Sequence, residues 1–592
     1  MKMFRKLNVL LFVLICLLIS AFQTGSSSGQ QAANVIVLRG ATVIDGLGNP
    51  PLRDAVVVIE GDEIKSVAGG GSDIPVGATV LDLTGRFIIP GLIDSHVHWS
   101  NWMGEIYINH GVTSLLAQAD VSKEERLDSQ TSLSTPRIFH TGGRPRLSSS
   151  MSRQEVRQAI EAYLKKEPDV AWFLQLRESN KEVFRWGAEE AHRAGLAVFS
   201  HTQDAAAAID AGMDVAEHVW GFSFPLMTTQ ELEDFKKGRF LHWASYLVPG
   251  KQLDDVIREA VAREVYLNPT LVYEWGSLSP KALEREQEGY LLLSNPDLSY
   301  FPEDLAGMLL LRHRQIKGYS SRYEHLPLVA QLSDGDLETF QGAKRNVQRL
   351  VHRYVELGGK IIAGTDAAAV AIPGLAMHHE MELLVEAGLT PMQALQAGTS
   401  WAADMFAGFQ GARGNQKVGS IQAGNFADLL VLEANPLEDI ANTKKIERVM
   451  KGGKFIEFGY HPEFFTFESP PFVSMSVPEP EISSIFPHKI VEGTGSFEMV
   501  IEGAGFVGNS VVKADGISLK TTFESPRELK VVIPADMLER ALPDRFRSPG
   551  PDQYVGIFGD RSLAITVFNP PPTGGMSDSV SLIVQAKWHG EE

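Results

Sequence analysis

His96 and His98 stand one residue apart at the end of the apolar run Pro-Gly-Leu-Ile-Asp-Ser-His-Val-His, residues 90–98. On a β-strand, side chains alternate between faces, so the two imidazoles point the same way. They make half of a metal site, because a divalent ion takes donors at about 2.0–2.1 Å from three or four side chains. The pair alone is weak evidence, since two strand-end histidines bonded to loop carbonyls fit the same pattern. Further polar residues close later apolar runs. Gln175 lies in 170–177, His201 ends 196–202, Glu217 and His218 lie in 215–221, and Asp366 ends 360–366. Tyr273 falls at the end of 266–273 and is read as a substrate anchor, the role also considered for Gln175. His110, His140, His192, His352 and His379 are assigned structural roles.

These runs need a scaffold. Eight β-type runs (87–98, 113–120, 136–142, 170–177, 196–202, 215–221, 266–273 and 360–366) alternate with helical segments. That rhythm gives parallel strands with helical crossovers and predicts a (β/α)8 TIM-like barrel over 89–412, with functional groups at the strand C-termini. Run by run, a satisfied histidine or capping aspartate is as good a reading as a ligand. Four strands ending in His or Asp on one rim favour a site.

Short alternating strands over 34–88 are too few to bury both faces. Their expected partners are the alternating segments in 413–460, which together with them form a small composite β-sandwich from both flanks. Within 277–342 the rhythm gives way to Leu- and charge-rich helical segments, 281–293 and 304–317, read as an insertion near the mouth. Thr390 and Pro391 predict an N-cap and first helical residue, and Gly388 a helix end. Residues 461–480 are a Pro-rich linker. Short strands and turn clusters over 481–586 predict a C-terminal all-β immunoglobulin-like sandwich.

The 592 residues are 44% hydrophobic and 21% charged, the composition of a folded soluble chain. A net charge of −19 argues against nucleic acid as a partner. Lys2, Arg5 and Lys6 precede an uncharged run, 7–22, and a small polar stretch, so 1–31 reads as an export signal and leader. The protein is therefore expected in the periplasm or outside the cell. Its one cysteine, Cys16, lies in that signal, which leaves His and carboxylate as the metal donors.

With these residues in place, the chain resembles the amidohydrolase superfamily, in particular its imidazolonepropionase-like and prolidase-like branch. The matching segments are Val-Ile-Asp-Gly at 43–46, Ile-Pro-Gly-Leu-Ile-Asp-Ser-His-Val-His at 89–98, Gly-Val-Thr-Ser at 111–114, Ala-Gly-Met-Asp-Val-Ala-Glu-His at 211–218, Ala-Gly-Thr-Asp at 363–366 and the stretch 419–432. Residues 481–586 resemble the IPT/TIG type of immunoglobulin-like domain through Gly-Ala-Gly-Phe-Val at 503–507 and Ile-Pro-Ala-Asp at 533–536.

The resemblance implies a metal-dependent hydrolase of amide-type C–N bonds. His96, His98, His201, His218 and Asp366 are then metal ligands, Asp366 and His218 also acting in catalysis. Its expected substrates are small amides, dipeptides or cyclic imides. Two-metal relatives carry a strand-four lysine that becomes a bridging carbamate. Gln175 stands there, and an amide forms no carbamate, so one divalent ion, zinc, on His96, His98, His201 and Asp366 is expected rather than two. A homo-oligomer is expected, as is envelope or carbohydrate contact through the C-terminal domain. The competing reading is a catalytically degenerate ligand-binding protein of the cell envelope.

Overall fold

A computed structural model describes residues 35–118, 121–140, 144–166, 173–176, 180–202, 204–236, 243–293, 295–298, 300–301, 334–367, 371–408, 417–462, 480–491, 493–506, 510–539, 561–569 and 575–585. The expected export signal, the 304–317 helix, almost all of the Pro-rich linker and the His140 side chain lie outside these. Among the described residues no helix is long and apolar enough to cross a membrane.

The two flanks meet, in one sheet where a composite β-sandwich was expected. Strands β1 (Val35–Val43), β2 (Leu52–Glu60), β3 (Glu63–Gly69), β4 (Thr79–Asp82) and β5 (Phe87–Pro90) come from the first flank. After the central region, β13 (Leu429–Leu432), β14 (Ile446–Lys451) and β15 (Lys454–Phe455) join them in one eight-stranded mixed sheet, ordered β15-β14-β13-β5-β1-β2-β3 with β4 on β1. The junction is the antiparallel pairing of β5 with β13, Leu429 opposite Pro90 and Leu432 opposite Phe87. Leu38, Val57, Ile88, Leu429 and Val431, all at most 1% exposed, bury one cluster of this sheet.

The central strands are β6 (Leu92–Val97), β7 (Val112–Ala117), β8 (Arg137–His140), β9 (Phe173–Gln175), β10 (Ala197–Ser200), β11 (Val215–Glu217) and β12 (Tyr266–Asn268). They form two parallel sheets, β6-β7-β8 and β9-β10-β11-β12, with a helix after each of β6 to β11. Side-chain caps fix the starts of several crossovers. Asn180 accepts from the Glu182 and Val183 N–H groups, and Asp204 from Ala207, contacts worth about 1 kcal/mol each. Thr390 and Gln393 form the capping box that precedes Pro391, and Gly388 follows its helix end with a φ of +106°.

Two expected runs are corrected. The run 87–98 is two strands: β5 belongs to the flank sheet and β6 to the central one. Pro90 has no N–H to continue a ladder. Gly91 sits where a Cβ would fall 2.1 Å from Thr113 Oγ1, so the chain crosses between sheets at a residue with no side chain. The run 360–366 is no regular strand. It lies between β12 and β6 through isolated bridges, Leu267 with Ile361 and Val97 with Ala367.

At the C-terminal end, β16 (Glu481–Phe486), β18 (Phe497–Ala504), β22 (Glu528–Ile533) and β21 (Thr521–Ser525) form one sheet. The other contains β17 (Lys489–Val491), β25 (Val580–Gln585), β23 (Arg561–Asn569), β19 (Val511–Ala514) and β20 (Ile517–Ser518), with β24 (Gly575–Met576) on β23. Met499, Ile501 and Val531 of the first share a buried cluster with Val512, Ile565 and Val584 of the second.

Candidate metal centre

His96 is the middle of the site. Its ring is fully buried, and Nδ1 lies 2.6 Å from Glu217 Oε2. A carboxylate only accepts, so Nδ1 carries the proton and donates it. That turns Nε2 toward the strand ends, where it has no hydrogen-bond partner. Glu217 Oε1 accepts from Gln118 Nε2 at 3.1 Å.

The segment 360–367 brings Asp366 alongside. Ser95 N–H donates to Ala363 O, Asp366 N–H to His96 O and His98 N–H to Ala367 O. Buried Asp94 ties β6 to the same segment: it accepts from His96 N–H, Thr365 N–H and the Thr365 hydroxyl. A Cβ at Gly364 would lie 2.6 Å from Asn268 Nδ2 and 2.8 Å from His96 Cβ, so glycine is required for this approach.

Asp366 Oδ1 then stands 2.9 Å from His98 Nε2 and 3.5 Å from His96 Nε2, while Oδ2 is 4.0 Å from His218 Nε2. The ligand atoms of His96, His98 and Asp366 lie within 4.8 Å of one another, and so do those of His96, His201 and His218. His98 and His96 do point the same way, though His98 is half exposed and His96 is not. His201 follows β10 and His218 follows β11, as the strand pattern required. His218 and Asp366 adopt left-handed φ values of +61° and +54°. Such backbone is uncommon for residues with a Cβ, costs about 1–3 kcal/mol and clusters at functional sites.

Burial opposes charge on both central groups, but their mutual attraction wins. For His96, the Glu217 and Asp366 carboxylates outweigh desolvation and raise it to about 9, and a cation bound at Nε2 would take the place of that second proton. For Asp366, His96, His98 and His218 outweigh desolvation and hold it at about 2. A buried cluster of imidazoles around a carboxylate, with one nitrogen left without a partner, is a donor set suited to a divalent cation.

Gln175, 8% exposed at the end of β9, places Nε2 3.0 Å from His201 Nδ1. Tyr273 requires a correction: it lies in a short helix, Leu271–Glu274, and not at a strand end. Thr270, at φ +45°, turns the chain after β12, and the buried Glu380 carboxylate accepts the Leu271 and Val272 N–H groups that open the helix. The Tyr273 ring centroid is still 5.3 Å from that of His218.

Glu217, Thr270 and Asp94 are the supports that sequence reasoning passed over. Thr270 Oγ1 lies 2.5 Å from His218 Nδ1. Of these, Glu217 and Asp94 had a visible signal, each as a charged residue inside an apolar run. His110, His192 and His379 are structural, bonded to Ile106 O, Asp214 and Glu288.

A fold of parallel strands whose ends gather histidines and an aspartate agrees with the family comparison: the model for the amidohydrolase family matches residues 87–456, and the chain belongs to that family. Among curated proteins it is similar to ochratoxinase of Aspergillus niger, 34% identical over 130 residues. It is also similar to adenine deaminase 2 of Bradyrhizobium sp. (strain ORS 278), 36% identical over 74 residues, 12% of each chain. The ochratoxinase match spans 21% of this chain and 23% of that protein, so the chain covers under a quarter of its relative's length. A solved structure from Bifidobacterium longum, assigned as a prolidase, shares the fold with a TM-score of 0.50 and 22% identity, over 73% of this chain and 96% of that one.

Proposed function

We propose that this protein is a metal-dependent hydrolase that cleaves C–N bonds in small-molecule amides. The observation that carries this reading is His96: its Nδ1–H is committed to Glu217, and its Nε2, which has no hydrogen-bond partner, lies among four other donor residues. His96, His98, His201 and Asp366 would hold the ion, with His218 beside it. The names of the ochratoxinase and prolidase relatives support amide or dipeptide substrates, with cyclic imides a third class. The order of parallel strands, with 360–367 between β12 and β6, supports a (β/α)8 barrel.

A bound divalent cation would supply Lewis acidity toward water and the substrate carbonyl. Asp366, held ionised by its histidines, takes the proton from the attacking water at a carboxylate oxygen. It returns that proton to the departing nitrogen as the C–N bond breaks. His218 Nε2 orients the carbonyl, and buried Glu217 keeps His96 in one tautomer throughout.

The donor count favours one ion. His96 belongs to both triplets, and with Nδ1 bonded to Glu217 its one remaining nitrogen serves one cation at a time. A second ion would be left with His201 and His218, and neutral Gln175 offers no anionic bridge. Zinc suits a set of imidazoles with one carboxylate. An exported protein, a homo-oligomer and an IPT/TIG-type C-terminal unit making envelope or carbohydrate contact complete the proposal.

Gln175 also favours a second reading, a ligand-binding protein without turnover. Metal analysis followed by a screen of amides, dipeptides and cyclic imides separates the two. One zinc per chain with turnover supports the hydrolase. Bound ligand without turnover supports the binder, and protein that takes up no zinc ends the metal reading.

A further inference from the structure

Trp220 and Tyr273 are partly exposed aromatic side chains that reach the centre without belonging to either donor triplet. The Trp220 ring centroid lies 4.5 Å from that of His218 and 6.4 Å from that of His201. Tyr273 lies 5.3 Å from His218. Both are half-buried, packed on the core while keeping part of their surface open, whereas His218 is 4% exposed. These separations lie within the range at which aromatic rings pair.

Both rings are held in place. Trp220 opens a single turn, Trp220–Phe222, whose first carbonyl accepts the Ser223 N–H and hydroxyl. A Cβ at Gly221 would fall 2.6 Å from Thr202 O, so only glycine lets this turn seat against the loop that carries His201. Tyr273 rides on the helix whose first N–H groups the Glu380 carboxylate accepts.

We infer that Trp220 and Tyr273 form an aromatic wall that selects amides with a planar ring next to the scissile carbonyl. This rests on the hydrolase reading of the centre. A carbonyl oriented by His218 lies at the Nε2 edge of that imidazole, and Trp220, with its centroid 4.5 Å from the imidazole's, is the neighbouring ring that its substituent would meet. The charged partners of the centre suit a neutral substituent: among the described residues, no Lys or Arg makes a hydrogen bond or ion pair with Asp366, Glu217 or Asp94. A flat ring gains edge and face contacts from two aromatic neighbours that a saturated ring of equal bulk does not.

The test uses the full-length, zinc-loaded protein and calorimetric binding of three hydroxamates that share one chelating head. Benzohydroxamate should bind about tenfold tighter than cyclohexanecarbohydroxamate, with acetohydroxamate as the reference. Trp220→Ala should bring the phenyl-to-cyclohexyl ratio close to one, and Trp220→Phe should keep most of it. The ratio is the reading, so a general loss of affinity cancels. Should Trp220→Ala fail to fold, Tyr273→Ala reads the same ratio. Equal affinities in the unmodified protein, or a ratio unmoved by removing the ring, overturn the wall. If none of the three binds, the metal centre fails and the wall with it; acetohydroxamate binding without ring preference sinks the wall alone.

Discussion

Glu217 decides which nitrogen of His96 faces the centre: its Oε2 accepts from Nδ1 over 2.6 Å, with both side chains fully buried and 121 positions apart in the chain. Carboxylates that orient ligating histidines typically contribute a factor of 10–100 in metal affinity. Glu217→Gln keeps an acceptor and loses the charge. It should weaken zinc binding by about 10-fold, and Glu217→Ala by about 100-fold, measured by competition with a chromophoric chelator. Unchanged affinity in both variants would remove Glu217 from the site's support.

Asp366 is ionised well below neutral pH because three imidazoles surround it. As the base of the proposed reaction, its loss should cost about 10²–10⁴ in kcat. Asp366→Asn should show that loss while His96, His98 and His201 retain most of the metal, read by elemental analysis of the same preparation. Full turnover in the variant would assign the proton transfer elsewhere.

The clustered histidines and Asp366 were legible in the sequence because each closes an apolar run, and the ends of parallel strands can converge whatever loops separate them. The flank sheet was legible for a related reason: alternating segments too short to cover themselves had to meet. The supports were not. Glu217 reaches His96 across β11 and β6, and Asp94 reaches Thr365 across 271 positions, pairings that no local periodicity encodes. The division of 87–98 was hidden because both halves are apolar and extended. It depends on which sheet each half joins. Tyr273 was misplaced for want of Glu380, whose carboxylate starts a helix 108 positions earlier at Val272.

Gly364 gives a test of how closely the segment 360–367 must approach β6 and β12. The added methyl of Gly364→Ala meets Asn268 and His96 Cβ at under 3 Å, and overpacking of this kind costs about 1–3 kcal/mol. Because the displaced atom belongs to His96, zinc affinity should fall with stability. A control at the open Gly195, where nothing lies within 4 Å, tests whether the effect is local. A left-handed φ of +74° makes that control strained in backbone alone, so it should lower the melting temperature and leave zinc affinity intact.

Lys451 offers a pH-dependent test far from the donors. Its side chain is 1% exposed at the end of β14 and donates to Ser129 O at 2.7 Å and Ser132 O at 2.5 Å. Burial, with Arg137 nearby, pulls its pKa down from 10.5 to about 7, against the attraction of Asp428. Between about pH 7 and 10.5 the unfolded chain therefore binds a proton that the folded chain does not, and stability contributed by this group rises with pH across that window. Below pH 7 both states are charged, and the cost of holding the ammonium inside is fully present. Lys451→Met removes the titration and leaves two carbonyls without their donor, a penalty that does not vary with pH. The melting temperature of the variant minus that of the unmodified protein should accordingly become more negative from pH 7 to pH 10, and stay flat from pH 5.5 to 6.5. A difference that is constant across both ranges would mean that the buried amine keeps its ordinary basicity.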